Sequence, residues 1–196
     1  MHKRRCTAYT VLTTRYGGIV LKRNVSLWQF AGFSLTSLVG TLLHYLYDWT
    51  GQSAVAAPFS AVNESTWEHM KLLFWPLFLF ALIQWRYFKD GYPHFWCVKL
   101  AGTLTGLLLI PALFYTYNGA IGKSPDWVNI TIFFVAAAIV YFVEWRLFRR
   151  ENGGTCRFAW AAFAVLCVLA VLFAVFTFFT PTLPLFRDPQ TGTYGI

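Results

Sequence analysis

FAWAAFAVLCVLAVLFAVFTFFT, from Phe158 to Thr180, runs for 23 residues without one charged side chain. A helix needs about 20 apolar residues to cross the hydrocarbon core of a bilayer, because each residue adds only about 1.5 Å of rise. Four further apolar blocks precede it: Trp28 to Trp49, Lys71 to Trp85, Val98 to Tyr117 and Trp127 to Trp145. The second is short unless its helix begins near Glu64, which would draw the acidic stretch ahead of it into the same helix. The pattern predicts an all-α polytopic transmembrane bundle of about five spans.

Composition agrees with that class. Of the 196 residues, 57% are apolar and 20% aromatic, and only 12% are charged, against about 25% in ordinary soluble domains. Sixteen Lys and Arg against eight Asp and Glu leave a net charge of +8. Six of the basic residues precede the first span (Lys3, Arg4, Arg5, Arg15, Lys22, Arg23), three lie between spans two and three (Arg86, Lys89, Lys99), and four between spans four and five (Arg146, Arg149, Arg150, Arg157). Lys71, Lys123 and Arg187 fall on the other side. Loops rich in Lys and Arg stay cytoplasmic. The expectation is therefore a multi-pass protein of the plasma membrane, with its N-terminus cytoplasmic and its C-terminus outside. The basic charge reads as topology and attraction to anionic lipid, with the bilayer as partner. Scattered over three short segments, it makes no nucleic-acid face, and no sequence feature designates a protein partner.

Three segments follow. Residues 1–26 form a basic cytoplasmic arm without the apolar run of a secretory signal. Residues 27–182 form the transmembrane domain, and 183–196 an ordered extracytoplasmic tail. The tail carries apolar Leu183, Leu185, Phe186, Tyr194 and Ile196 with turn signals at Asp188-Pro189 and Thr191-Gly192, so it is expected to pack across the outer mouth. Trp28, Trp85, Trp96, Trp145 and Trp160 mark the cytoplasmic ends, and Trp49, Trp67 and Trp127 the outer ends, as aromatic belts do. Gly102 and Gly106 offer a small-residue face for close helix packing, while Pro76 and Pro111 are expected to kink their helices. Cys6, Cys97 and Cys156 fall on the reducing side and Cys167 mid-membrane. With no Cys-x-x-Cys spacing, none is expected to form a disulfide or bind metal.

Chemistry is concentrated in Asn63-Glu64-Ser65-Thr66-Trp67-Glu68-His69-Met70-Lys71, at the mouth of the second span. Polar groups at a membrane boundary must be hydrated, paired or bonded. On the first helix His44 and Asp48 are four apart and share a face. If the second helix starts near Glu64, then Glu64 and Glu68 also share one. Depths matched along antiparallel helices set Asp48 beside Glu64 and His44 beside Glu68, with His69 adjacent. The connector Thr50 to Val62 is small and apolar enough to fold over this site as a lid. Tyr115, Tyr117 and Asp126 arrive at the same height. Simpler roles exist for single residues: Ser65 to Glu68 fits a capping box, Lys71 can reach back to Glu68, and Glu144 can pair with Lys99 or Arg146. Taken together, five groups that can ligate metal or move protons (His44, Asp48, Glu64, Glu68, His69) converge on one end of an otherwise apolar bundle.

The stretch Gly40-Thr-Leu-Leu-His44-Tyr-Leu-Tyr-Asp48-Trp49 resembles the first-span motif of a family of small bacterial integral membrane proteins that carry a domain of unknown function. The Asn63-Glu-Ser-Thr-Trp-Glu-His69-Met-Lys71 segment is similar to that family's most recognisable motif. Tyr115-Thr-Tyr-Asn-Gly119 and the tail from Pro184 to Ile196 fit it too. The resemblance covers about Trp28 to Ile196 and leaves the basic arm, His94 and Glu144 outside the pattern. It implies fold, topology and bacterial origin, and no mechanism.

Three functions compete on these residues. The first is a metal-dependent membrane hydrolase acting on a lipid or lipid-linked group. In it Zn, Mn or Fe is held by some of His44, Asp48, Glu64, Glu68 and His69, and Glu64 or Glu68 serves as general base. The second is a small proton-coupled transporter, disfavoured by the short chain and the lack of repeat symmetry. The third is a non-catalytic scaffold or sensor whose polar cluster, with Asn63 and Lys71, locks the helices.

Overall fold

The computed structural model describes residues 24–150, 156 and 158–196. The basic arm up to residue 23, the turn at 151–155 and Arg157 lie outside the described residues. Five helices follow one another: α1 Val25–Trp49, α2 Thr66–Phe88, α3 Phe95–Ile121, α4 Asp126–Phe148 and α5 Ala159–Phe178, with a single 3₁₀ turn, Pro184–Phe186, in the tail. Four of them, α1, α3, α4 and α5, are long and apolar enough to cross a membrane. The remaining helix, α2, is more polar because its 23 residues include Glu68, His69, Lys71, Gln84 and Arg86. It is buried over most of its length, and there Glu68 and Lys71 pair with each other.

Contacts between helix ends make the bundle up-and-down. Trp28 at the start of α1 packs on Phe88 at the end of α2, and Trp85 near the end of α2 packs on Trp96 at the start of α3. Lys99 near the start of α3 bonds Glu144 near the end of α4. Trp67 at the start of α2 packs on Phe173 and Phe176 toward the end of α5. The His44 and Glu64 end is thus shared by the C-termini of α1, α3 and α5 and the N-termini of α2 and α4. Two tryptophans depart from the belt pattern: Trp67 and Trp96 are buried among other aromatics.

Local sequence explains the helix boundaries. Asn24 and Ser65 act as N-caps, accepting the free amides of Leu27 and Glu68, as short polar side chains do at helix starts. The capping box is half formed. The Glu68 carboxylate does not return to Ser65 but takes the Val62 amide, while the Ser65 amide goes to Asn63 Oδ1. Helices α2 and α3 continue through Pro76 and Pro111. Proline has no amide hydrogen, so Pro76 leaves the Leu72 carbonyl without its helical partner. That oxygen lies against Gly40 of α1, where an added Cβ would sit 3.1 Å from it. On α3, a Cβ at Gly102 would meet Glu144 and one at Gly106 would meet Val140 and Leu73, so the small-residue face does bring α3 onto its neighbours.

One expectation about cysteine is overturned. Cys97 and Cys156 are joined as a disulfide, their Cα atoms 6.3 Å apart. Spacing in sequence could not reveal the pair, because 59 residues separate them and only the return of the chain to α5 brings them together.

Candidate metal centre

Three of the five candidate ligands converge. His44 Nε2 lies 3.6 Å from Glu64 Oε1, and His69 Nε2 lies 3.6 Å from Glu64 Oε2. One ligating atom from each residue falls within 4.8 Å of the other two, and the imidazole centroids are 5.9 Å apart. At 3.6 Å these contacts are too long to be hydrogen bonds. They suit a shared cation, since two ligands about 2.1 Å from one tetrahedral ion lie about 3.4 Å apart.

Local folding produces this convergence. Glu64 precedes the Ser65 cap, so it stands on non-helical backbone and turns its carboxylate toward α1. His69 enters α2 one residue after Glu68 and therefore points about 100° away from it. Its Nδ1 is 3.0 Å from the Ser65 carbonyl oxygen. Donating there fixes the proton on Nδ1 and leaves Nε2 as a lone-pair donor, the outer-shell arrangement usual for ligating histidines. His44 Nδ1 is buried with no partner.

The other candidates go elsewhere. Glu68 Oε2 is 2.5 Å from Lys71 Nζ and accepts the Val62 amide at 3.1 Å. Lys71 also donates to the Ala57 carbonyl at 2.8 Å and to Thr177 Oγ1 at 3.0 Å, so its three donors are all used. The expected pairing of His44 with Glu68 is replaced by His44 with Glu64, because Glu64 is not in the helix whose phase that pairing assumed. Asp48 is exposed and outside the group, so its expected pairing with Glu64 does not form. The connector folds back on the Glu68 and Lys71 side of α2, where the Pro58 carbonyl also accepts from Trp75 Nε1. Tyr115 is exposed and Tyr117 half-buried, and neither lines the cavity beside the histidines. The Asp126 side chain lies outside the described residues. Asn63 does not face the histidines but donates to the Gly195 carbonyl, tying α2 to the tail.

A cavity of about 290 Å³ opens beside the three ligands, lined further by Gly40, Leu72, Asn129, Phe133 and Gln190. Asn129 and Gln190 were missed in the sequence. The one signal of Asn129 in the sequence is a lone amide in the first turns of an apolar helix. The tail reaches the cavity through Gln190 and is anchored by buried Phe186, which packs on Trp67.

A family model described as a family of unknown function (DUF6512) matches residues 20–196. The chain belongs to that family. No curated protein and no solved structure matches it. In this DUF6512 chain the matched region takes in all five helices, the tail and every candidate ligand, so the centre lies wholly inside the family's domain.

Proposed function

We propose that this chain is a five-span plasma-membrane protein that binds one divalent ion, Zn, Mn or Fe, between His44, Glu64 and His69. The N-terminus is cytoplasmic, the site lies at the outer face, and the reaction is hydrolysis of a lipid or lipid-linked substrate. The observation that carries this reading is the convergence of two imidazole nitrogens and a carboxylate at 3.6 Å, without hydrogen bonds among them, in the wall of a cavity. Three protein ligands with an open side suit a catalytic ion rather than a closed structural one. Such an ion brings the pKa of a bound water to about 7. Glu64, whose two oxygens face His44 and His69 separately, would hold the ion through one and take the proton of an attacking water through the other. Glu68, held by Lys71, secures the start of α2 instead.

Support for the orientation comes from Arg86, Lys89, Arg146, Arg149 and Arg150, which follow or close helices at the end opposite the histidines. Calorimetric titration of chelator-treated protein in detergent with Zn²⁺ tests the ion site. A single saturable event that disappears in Glu64→Gln supports it, and titration without heat of binding removes it.

A further inference from the structure

The cavity beside the ligands has two unlike ends. His44, Glu64, His69, Asn129 and Gln190 stand at one, and Gly40, Leu72, Phe133 and Phe134 at the other. From His44 to Gly40 on α1, and from Asn129 to Phe133 on α4, the apolar end lies one helical turn deeper, roughly 6 Å. Thr41, Tyr45, Ile130 and Phe134 line the cavity and are also exposed on the flank of the bundle. The cavity therefore opens sideways, between α1 and α4, onto the surface that faces lipid.

We infer that this cavity receives the ester end of an acyl lipid entering from the bilayer between α1 and α4, an assignment that rests on the ion site proposed above. Size favours part of a lipid rather than a whole small molecule. Pockets for drug-sized ligands span about 300–1,000 Å³, and about 290 Å³ holds an ester and its first carbons while the chain continues along Ile130 and Phe134. Depth selects the ester over the headgroup. Exposed Trp49 and Trp127 mark the interface on α1 and α4. His44 lies five residues inward of Trp49, about 7.5 Å, beneath the level at which headgroups sit.

Asn129 supplies the orienting donor. Its Oδ1 accepts from Ser124 Oγ at 3.0 Å, and the Ser124 amide is held in turn by Asn118 Oδ1 at 2.8 Å. With its oxygen engaged, the Asn129 NH₂ is the group left to donate to an ester carbonyl oxygen in the cavity that Asn129 lines. Hydrolysis at that position joins the oxygen of water to the acyl carbon and breaks the acyl carbon–oxygen bond. The proton taken by Glu64 passes to the departing alkoxide, giving a carboxylic acid and an alcohol.

The test uses the full chain in phosphatidylcholine vesicles doped with a phosphatidylcholine that carries a diazirine close to one ester. Cross-linked peptides are mapped by mass spectrometry, and metal is measured on the same preparations. Adducts concentrate on Gly40 to Tyr45 and Asn129 to Phe134. Ile130→Trp, which fills the mouth from an exposed position, lowers them about fivefold, roughly 1 kcal/mol, with its metal retained. Labelling spread evenly over α1, α4 and α5 in metal-loaded protein overturns the lipid assignment and leaves the ion site standing. Labelling concentrated at the cavity in protein that binds no metal sustains the lipid site and overturns the ion reading instead.

Discussion

His69 Nδ1 rests 3.0 Å from the carbonyl oxygen of Ser65, the residue that caps the helix carrying it. One short segment thus does two things. The Ser65 side chain starts α2 by accepting the Glu68 amide, and its carbonyl orients the imidazole that faces Glu64. The two roles use different atoms and can be separated.

Ser65→Ala removes the hydroxyl and keeps the carbonyl. Stability falls by about 1 kcal/mol, the usual cost of losing a cap, while the ion stays bound. His69→Ala reverses the pattern: binding is lost and folding persists. Thermal unfolding in detergent, read beside metal content, checks both.

Lys99 and Glu144 form an ion pair at 2.6 Å in the half of the bundle away from the histidines, and both are almost wholly buried. The Lys99 ammonium is ringed by Phe80, Phe95, Tyr141 and Phe148 at 5.7–6.0 Å. Removing one partner strands a buried charge, so Lys99→Ala costs about 3–5 kcal/mol. Replacing both by Met recovers most of that loss. Neither change alters metal content, because the pair lies at the opposite end from His44. Unfolding midpoints in detergent give the comparison.

Gly40 is needed for its lack of a side chain. A Cβ there would approach Phe133 Cζ to 2.5 Å and the Leu72 carbonyl to 3.1 Å. Gly40→Val overpacks this contact and costs about 1–3 kcal/mol. It also narrows the apolar end of the cavity, so metal binding survives while lipid cross-linking there declines.

The Cys97–Cys156 disulfide sits at the end that the basic residues assign to the cytoplasm, where disulfides are rare. With that end in the cytoplasm, the bond of the structure forms only on exposure to air, and in intact cells a membrane-permeant maleimide labels both thiols. After purification in air both are protected until a reductant is added. Protection in intact cells would instead place this end in an oxidising compartment and invert the proposed orientation.

Much of the architecture was legible because spans are written in long, redundant blocks. The uncharged run at Phe158 to Thr180 needs no neighbour to be recognised as a helix long enough to cross a bilayer. The Lys99 and Glu144 pair was within reach too, since few partners exist for a charge inside a span. The site was harder. His44, Glu64 and His69 were all named, but with Glu68 and Asp48 among them, because placing Glu64 in the helix gave it the wrong phase. Whether a residue lies before or after its cap changes its direction by far more than its distance along the chain suggests. Asn129 and Gln190 come from α4 and the tail, and their arrival depends on how those elements pack, which no local pattern encodes.

Elemental analysis of protein purified in detergent without chelators decides whether His44, Glu64 and His69 hold an ion, with His44→Ala, Glu64→Ala, His69→Ala and Glu68→Gln measured alongside. The wild type carries close to one divalent ion per chain, lost in the first three variants and retained in Glu68→Gln. Folded wild-type protein that carries no ion, or an ion that survives the loss of Glu64 and both histidines, would contradict it.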